Sequence, residues 1–509
     1  MSARVPTLLE KARWNALAVG TGSISRLLAG IVVARQLGPE LTGQFAFLLW
    51  LTETATLFFS IGLPNALIRY IAVMVGQADT ARAGALVRWC LWAYVALTVV
   101  AAGATYLIAR YFLELSLASR TPLTTALALL VAVQLWAGLT QALLTGLQEF
   151  RTYAQVVLVS SLMLLIGQGM GAFWWGLVGV ICGTVAAHAA GIALFLRMAF
   201  LRRGWHMYEP TGTMRIDRAF LRYSLNAWLA ALISSVTWGR AELFFIEKFS
   251  THQEAAYFAV GLVFASVIVQ AVSLMSGALL PHLSYLVGAD QLARVSADYR
   301  RLTTAIALFA FPLSVGGVVL MPELITMVFG ERYTGAVPAA RWLIATGLLS
   351  FSTVGSAVIY SLGDAKVIRN WGIFGACLLV LGCVSLVPAY GAAGAAATRL
   401  GVQTLLIAIG TYLLRYRYQQ PFPAKAVASA FLAAICSGLV ARAIVTAADG
   451  GGTALALGIA GGGAAYGVLL RMFRVLTRED ADAMRGLLAR FPLVGRLASE
   501  TILRFLAPR

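Results

Sequence analysis

The sequence predicts an all-α polytopic membrane protein of about fourteen transmembrane helices, built as two six-helix lobes and two extra C-terminal helices. Three observations predict it. The 509-residue chain is 60% hydrophobic and 12% charged, with a mean hydropathy of +0.82. Soluble domains carry roughly 25% charged residues, so the bilayer is the solvent that accommodates this composition. Apolar stretches of about 20 residues, the length that crosses the hydrocarbon core, fill almost the whole chain. Finally, two local patterns of the first half return in the second.

The first stretch, 14–37, ends at the polar turn Gly38-Pro39-Glu40, and 42–63 follows it at once. Stretches 87–110 and 123–146 come next. Stretches 153–174 and 176–199 are divided only by Trp175, and the second opens on Gly176. These six form a first lobe, 1–200. The start lacks the short apolar core and small-residue cleavage site of a signal peptide, so the first stretch is expected to stay. Residues 201–222 are basic and mostly polar, a cytoplasmic linker. A second lobe, 223–415, holds 223–246, 257–280, 302–321, 338–361, 369–388 and 391–414. The region 416–475 adds 426–447 and 453–473, outside the repeat. Residues 476–509 read as an amphipathic cytoplasmic tail. Thr477 and Asp480 have the spacing of a capping box, and Met484, Leu487, Leu488 and Phe491 make one apolar helical stripe suited to an interface.

The repeat shows at two places. The helix end, polar turn and aromatic restart at 33–46 return at 246–258, with Tyr257 standing 212 residues after Phe45. Gly146 with Trp175-Gly176-Leu177-Val178-Gly179 is matched by Gly363 with Tyr390-Gly391-Ala392-Ala393-Gly394. An even number of spans separates the copies, so they enter the membrane with one polarity, as parallel repeats. Such a build is that of a transporter.

The net charge of +18 is a membrane signal. With the N-terminus inside, only Arg35, Arg110, Arg120, Lys248 and Arg332 of the 39 basic residues fall in the outer loops. The excess lies in the alternate loops and at the span ends next to them, as at Arg69, Arg82, Arg88, Arg215, Arg218, Arg300, Arg301 and Arg415. This is the positive-inside pattern. It predicts a cytoplasmic (inner) membrane protein with both termini cytoplasmic. The partners that this basic excess implies are anionic membrane lipids, not nucleic acid. The five cysteines, Cys90, Cys182, Cys377, Cys383 and Cys436, all fall in apolar stretches and form no CxxC pair. They read as small apolar residues. The histidines His188, His206, His252 and His282 have no zinc spacing, so no metal and no bound cofactor are expected.

Ionisable residues inside spans are costly and mark function by default. Arg26 lies mid-span in the first stretch and Arg240 in the first stretch of the second half. With Arg399 they are candidates for a cationic substrate site, because a guanidinium fork binds phosphate oxygens in pairs and keeps its charge. Glu53 and Glu242 are candidate coupling carboxylates for a proton or sodium ion, or ion-pair partners of Arg26 and Arg240. His188, Asn226 and Gln270 are candidate polar residues of the same site. Gln134, Gln141, Gln168 and Gln403 read as interhelical bridges.

Several of these motifs, in order and spacing over about 10–475, resemble one family. They are 37–46 (LGPELTGQFA), 60–69 (SIGLPNALIR), Arg240-Ala241-Glu242 through Ala255-Ala256-Tyr257, 329–333 (FGERY) and 388–396 (PAYGAAGAA). The chain resembles the polysaccharide and O-antigen flippases (Wzx-like) of the multidrug/oligosaccharidyl-lipid/polysaccharide exporter superfamily. Two departures stand out: the family's helix-7 aspartate is Glu242 here, and its glycine before the tyrosine is Ala256. The resemblance implies a V-shaped central cleft between the lobes and alternating access. It also implies a polyprenyl-pyrophosphate-linked oligosaccharide as cargo, moved toward the outer leaflet for lipopolysaccharide or other surface polysaccharide. A polysaccharide polymerase or glycosyltransferases would be its neighbours, and no covalent chemistry is required. Coupling to a proton, to sodium or to the membrane potential is the remaining expectation. The main rival is a cation-coupled drug antiporter of the same superfamily. A membrane glycosyltransferase or polymerase would need a large external loop, which the outer connections lack, and a scaffold with a degenerate flippase fold is the last alternative.

Overall fold

A computed structural model describes residues 8–77, 79–112, 117–201, 217–276, 279–448 and 451–473. The expected tail, 476–509, and most of the expected linker lie outside the described residues. Those described are helical throughout, with turns between the helices and no strand. The chain divides into two compact units, Met1–Glu247 and Lys248–Arg509.

The first unit opens with α1, Leu8–Phe59, a run of 52 residues. At 1.5 Å per residue that is about 78 Å, more than twice a core of about 30 Å. It is two helices joined at Gly38, whose φ of 75° and ψ of 175° are not helical. Pro39 follows at the first helical position, where its missing N–H costs nothing. Next come α2 (Leu63–Gly76), α3 (Thr80–Phe112) and α4 (Leu117–Gly146). The short α2 is an addition to the expected order. Its Leu63, Ala66, Leu67, Ile71 and Met74 are buried, one face at helical spacing, and it packs on α3 and α4. Helix α5, Phe150–Leu201, is again 52 residues and breaks at Gly176, φ 56° and ψ −134°. Then α6 (Arg218–Trp238) and α7 (Glu242–Phe249) form one pair bent by 56°. The expected second-lobe span 223–246 therefore lies wholly in the first unit, where α6 packs on α1 and α2.

The second unit continues with α8 (His252–Ser276), α9 (Leu279–Gly288), α10 (Leu292–Val319) and α11 (Met321–Phe329). Two 3-10 turns flank α12 (Val337–Ala345) and lead to α13 (Ser352–Ser361) across a 45° bend. The run α14, Ala365–Tyr416, is the third of 52 residues and breaks at Gly391, φ 51° and ψ −130°. It is followed by α15 (Ala424–Ala447) and α16 (Gly451–Met472), which pack on each other and, through α15, on α10. By length and apolarity the described residues hold nine helices able to cross a membrane, or up to eleven if each bent pair is one span, where the sequence predicts fourteen spans. The difference has a physical source: three of the nine are double-length runs whose only interruption is one glycine.

Duplication reaches the backbone. Gly176 and Gly391 adopt nearly the same conformation, one that L side chains rarely take, and each follows an exposed aromatic, Trp175 or Tyr390. The two limbs of each run fold back on each other at this point. In α5 they touch glycine to glycine. A Cβ on Gly171 would lie 2.1 Å from the Gly179 carbonyl oxygen, and one on Gly183 would lie 2.3 Å from the Gly167 carbonyl. In α14 the residues 215 positions later are Gly382, Leu386, Gly394 and Thr398. Gly394 faces the Leu386 carbonyl and Gly382 faces the Thr398 side chain.

Candidate functional site

Arg26 lies on the first limb of α1, one turn after Gly22. Gly22 faces Val157 and Ser161 of α5, and Arg26 acts electrostatically on Tyr153 and His188 of the same helix. Tyr153 in turn accepts a hydrogen bond from Gln141 Nε2 at 3.1 Å. Arg26 is exposed, and it makes no hydrogen bond or ion pair among the described residues. The structure thus joins two of the expected site residues, Arg26 and His188, and adds Tyr153 and Gln141.

Arg240 sits in the bend between α6 and α7, where its carbonyl accepts from Leu243 N at 3.1 Å. Its guanidinium is exposed and unpaired among the described residues. Glu242 is fully buried in the first turn of α7, an end of the helix that favours a carboxylate. Neither expected ion pair forms. The break at Gly38 puts Arg26 and Glu53 on different limbs of α1, and the bend at Gly239-Arg240 turns Glu242 inward while Arg240 stays out.

Arg399 belongs to the second unit. It is 7% exposed, with its guanidinium carbon 5.9 Å from the centroid of the Phe258 ring, a cation–π contact between α14 and α8. In the 215-residue register it stands where Thr184 stands in the first hairpin. Thr184 accepts a buried hydrogen bond from Gln168 Nε2 at 2.9 Å, bridging the limbs of α5. His188 has Gln403 at its register position. Asn226 is exposed on α6 and Gln270 half-buried on α8, and neither makes a hydrogen bond among the described residues.

Glu53 lies on the second limb of α1 and lines a half-open cavity of about 240 Å³. Thr56, Ser60, Tyr94 and Gln134 line it too. Thr56 Oγ1 donates to Gln134 Oε1 at 2.9 Å, which ties α1 to α4 and leaves the Gln134 amide N–H groups as donors. The hydroxyl of Tyr94, fully buried on α3, has no hydrogen-bond partner. Glu53 is exposed and makes no hydrogen bond or ion pair among the described residues. Tyr94 was invisible to sequence reasoning because only the fold brings α3 to this place. Thr56 and Ser60 were legible in principle, at i+3 and i+7 from Glu53.

The α1–α2 junction is a second site that periodicity does not reveal. Ile61 has φ 47° and Gly62 φ 69°, and a β-branched residue at positive φ is a genuine outlier. The break frees backbone carbonyls, and α6 satisfies them. Ser224 Oγ donates to Ile61 O at 2.6 Å, and Trp228 Nε1 donates to Phe58 O at 3.0 Å. A Cβ on Gly62 would lie 2.2 Å from Ser224 O, so glycine is what lets α6 approach. Arg69 covers the end of this contact, 4.5 Å from the Tyr223 ring centroid. Among the described residues, no three His, Cys, Asp or Glu side chains gather as a metal site.

Residues 32–338, more than half of the chain, match the family described as "Polysaccharide biosynthesis protein". No curated protein matches the chain. Solved structures do. A lipid II flippase, MurJ, in an inward closed conformation aligns with a TM-score of 0.67 at 13% identity, covering 90% of this chain and 98% of its own. A multidrug resistance MATE family transporter of the MOP superfamily, inward-facing, aligns with a TM-score of 0.66 at 15% identity, covering 78% and 94%. A MOP superfamily transporter from Pyrococcus furiosus, for which a reversed polarity of the binding pocket suggests a different function, aligns with a TM-score of 0.58 at 15% identity, covering 80% and 94%. The chain is a multi-pass membrane protein with the fold of these transporters, and it belongs to the polysaccharide biosynthesis protein family.

Proposed function

We propose that this protein is a flippase of the cytoplasmic membrane. It moves a polyprenyl-pyrophosphate-linked oligosaccharide from the cytoplasmic to the outer leaflet by alternating access, for cell-surface polysaccharide such as O-antigen. One observation carries the reading: Arg26, on a membrane-length helical run, and Arg240, in the bend between α6 and α7, present guanidinium groups that make no hydrogen bond or ion pair among the described residues. A charge in such a segment is tolerated when it faces a watery cavity or a ligand. A diphosphate is the ligand that matches the fork. His188, Tyr153 and Gln141 supply polar groups near Arg26 that suit sugar hydroxyls. Nothing is made or broken covalently, so binding, orientation and release are the whole of the chemistry. Both termini are cytoplasmic in this reading. Anionic lipids lie against the basic loops, and a polymerase or glycosyltransferases are the partners in the pathway.

Reconstitution in liposomes with a fluorescent polyprenyl-pyrophosphate oligosaccharide tests the proposal. Wild-type protein should expose the label to an outside quencher, and Arg26→Ala and Arg240→Ala should each slow this. Wild-type rates in both variants would contradict the role of the arginines. The second reading, a cation-coupled drug antiporter, is favoured by the carboxylate cavity at Glu53 and by the MATE-like fold. It wins if no lipid-linked sugar moves and a proton or sodium gradient drives dye efflux instead.

A further inference from the structure

We propose that Ser161, on the first limb of α5, is a phosphate-binding residue that completes the Arg26 site. The inference rests on the reading of the cargo as a lipid-linked diphosphate, and it names a further group that would hold it. Gly22 and Arg26 stand one turn apart on α1 and share a face. Helical side chains lean toward the preceding turn, and the Arg26 guanidinium does so here. A Cβ on Gly22 would lie 3.8 Å from Arg26 Nη1, 3.8 Å from Ser161 Oγ and 3.4 Å from Val157 Cγ1. The lack of a side chain at Gly22 lets α5 close on α1 until a guanidinium and a hydroxyl border one point. A phosphate has several acceptor oxygens, each taking a donor at about 2.7–2.9 Å, so one phosphate group can reach both.

Ser161 is 6% exposed, and its hydroxyl makes no hydrogen bond among the described residues. Other helical hydroxyls of this chain donate to a carbonyl three or four residues back: Thr98 to Tyr94, Ser235 to Leu232, Ser273 to Val269, Ser385 to Leu381 and Thr404 to Leu400. That local bond is the usual answer to a hydroxyl on a membrane helix. Ser161 leaves it unmade, and a covered hydroxyl without a partner is costly. A phosphate oxygen beside Arg26 would satisfy it. The guanidinium is exposed and the hydroxyl almost covered, so a phosphate would approach over the first and meet the second beneath it. Nothing on α5 repels an anion, because none of its 52 residues is Asp or Glu.

The second half separates this role from packing. In the 212-residue register Gly22 and Arg26 become Ser234 and Trp238, and in the 215-residue register of the hairpins Ser161 becomes Ala376. Guanidinium and hydroxyl are absent together from the copy. A small residue serves helix contact, and alanine supplies that in the second half. The hydroxyl at Ser161 is therefore an addition to the duplicated fold, made in the half that also carries Arg26.

Equilibrium binding to the purified full-length protein tests the site, with polyprenyl pyrophosphate, the polyprenyl alcohol and inorganic pyrophosphate as separate probes. Ser161→Ala should weaken polyprenyl pyrophosphate about tenfold, the loss of one hydrogen bond to a charged group, and leave the alcohol unchanged. The ratio of the two lipid affinities is the readout, so a change in the folded fraction does not enter it. In an Arg26→Ala background Ser161→Ala should add little, because both groups act on one phosphate. A wild-type ratio in Ser161→Ala would overturn the assignment of Ser161 and leave the lipid-linked reading intact. If inorganic pyrophosphate binds as tightly as the lipid and depends on Ser161 in the same way, the site stands and the lipid-linked reading fails. If the wild type does not distinguish the pyrophosphate from the alcohol, both fail.

Discussion

The hairpins α5 and α14 occupy the same place in the two halves and are held closed by different means. In α5, Gly167, Gly171, Gly179 and Gly183 bring backbone onto backbone, and Gln168 donates across to Thr184. In α14, Leu386 and Thr398 take two of those places, and Arg399 replaces Thr184 and lies against Phe258. The kinks differ as well. Gly176 has open space around it, whereas Gly391 is pressed against Glu254, whose Oε2 accepts from Ala392 N at 2.7 Å. One duplicated backbone thus supports a tight, nearly neutral hairpin in the first half. In the second it supports one that carries larger side chains, is stapled at its kink by a carboxylate and holds an arginine against a neighbouring helix. The lesson concerns charge: an ionisable residue in a span is not a ligand group until its surroundings are known. Arg399 has packing around it, and Arg26 and Arg240 do not.

The comparison can be broken at the glycine contacts first. Gly171→Leu, which installs the residue found at Leu386, forces a side chain onto the Gly179 carbonyl. The cost should exceed the roughly 1–3 kcal/mol of ordinary overpacking, enough to empty the folded peak in size-exclusion chromatography. The opposite change, Leu386→Gly, should cost only about 1 kcal/mol of helix propensity. Comparable losses in the two variants would mean that the hairpins pack alike.

The kinks come next. Gly176→Ala should cost only backbone strain, about 1–3 kcal/mol. Gly391→Ala should cost the same strain plus the Glu254 staple, a further charge-assisted bond of about 1.5–3 kcal/mol. Thermal melts in detergent measure both. In a Glu254→Ala background the two glycine changes should become equal, the non-additivity expected of groups in contact.

The smallest effect lies at the end of α14. There Asp364 Oδ2 accepts from Arg417 Nη2 and from the Tyr418 hydroxyl, each at 2.7 Å. Burial, and then the bond to Asp364, push the Tyr418 phenol up to about 12 from its ordinary 10. A raised pKa means that the stabilisation is complete below pH 10 and fades as the pH climbs toward 12. Because the site is partly exposed, Tyr418→Phe should cost only about 0.5 kcal/mol at neutral pH. The difference from wild type should vanish in melts at strongly alkaline pH.

Much of this architecture was legible in the residues. Gly38-Pro39, Trp175-Gly176 and Tyr390-Gly391 mark the breaks because glycine accepts the positive φ each break adopts, and Pro39 suits the first position of the next limb. The polar glutamines were readable as bridges, as Gln134 and Gln168 show. What escaped were relations between segments far apart in the chain. The pairing of Arg26 with Glu53 rested on both lying mid-span, and the Gly38 break separates them. The placement of 223–246 in the second half followed sequence order, whereas Ser224 and Trp228 answer carbonyls freed at Phe58 and Ile61. Short α2 escaped because a stretch of 14 residues falls below the length of a span.

Ligand binding by the two unpaired arginines is the central claim, and equilibrium binding of a sugar-free polyprenyl pyrophosphate to the purified protein tests it most directly. The wild type should bind it far better than the corresponding polyprenyl alcohol. The double variant Arg26→Ala/Arg240→Ala should lose that preference, while Arg399→Met keeps it. Undiminished preference for the pyrophosphate in the double variant would contradict the account.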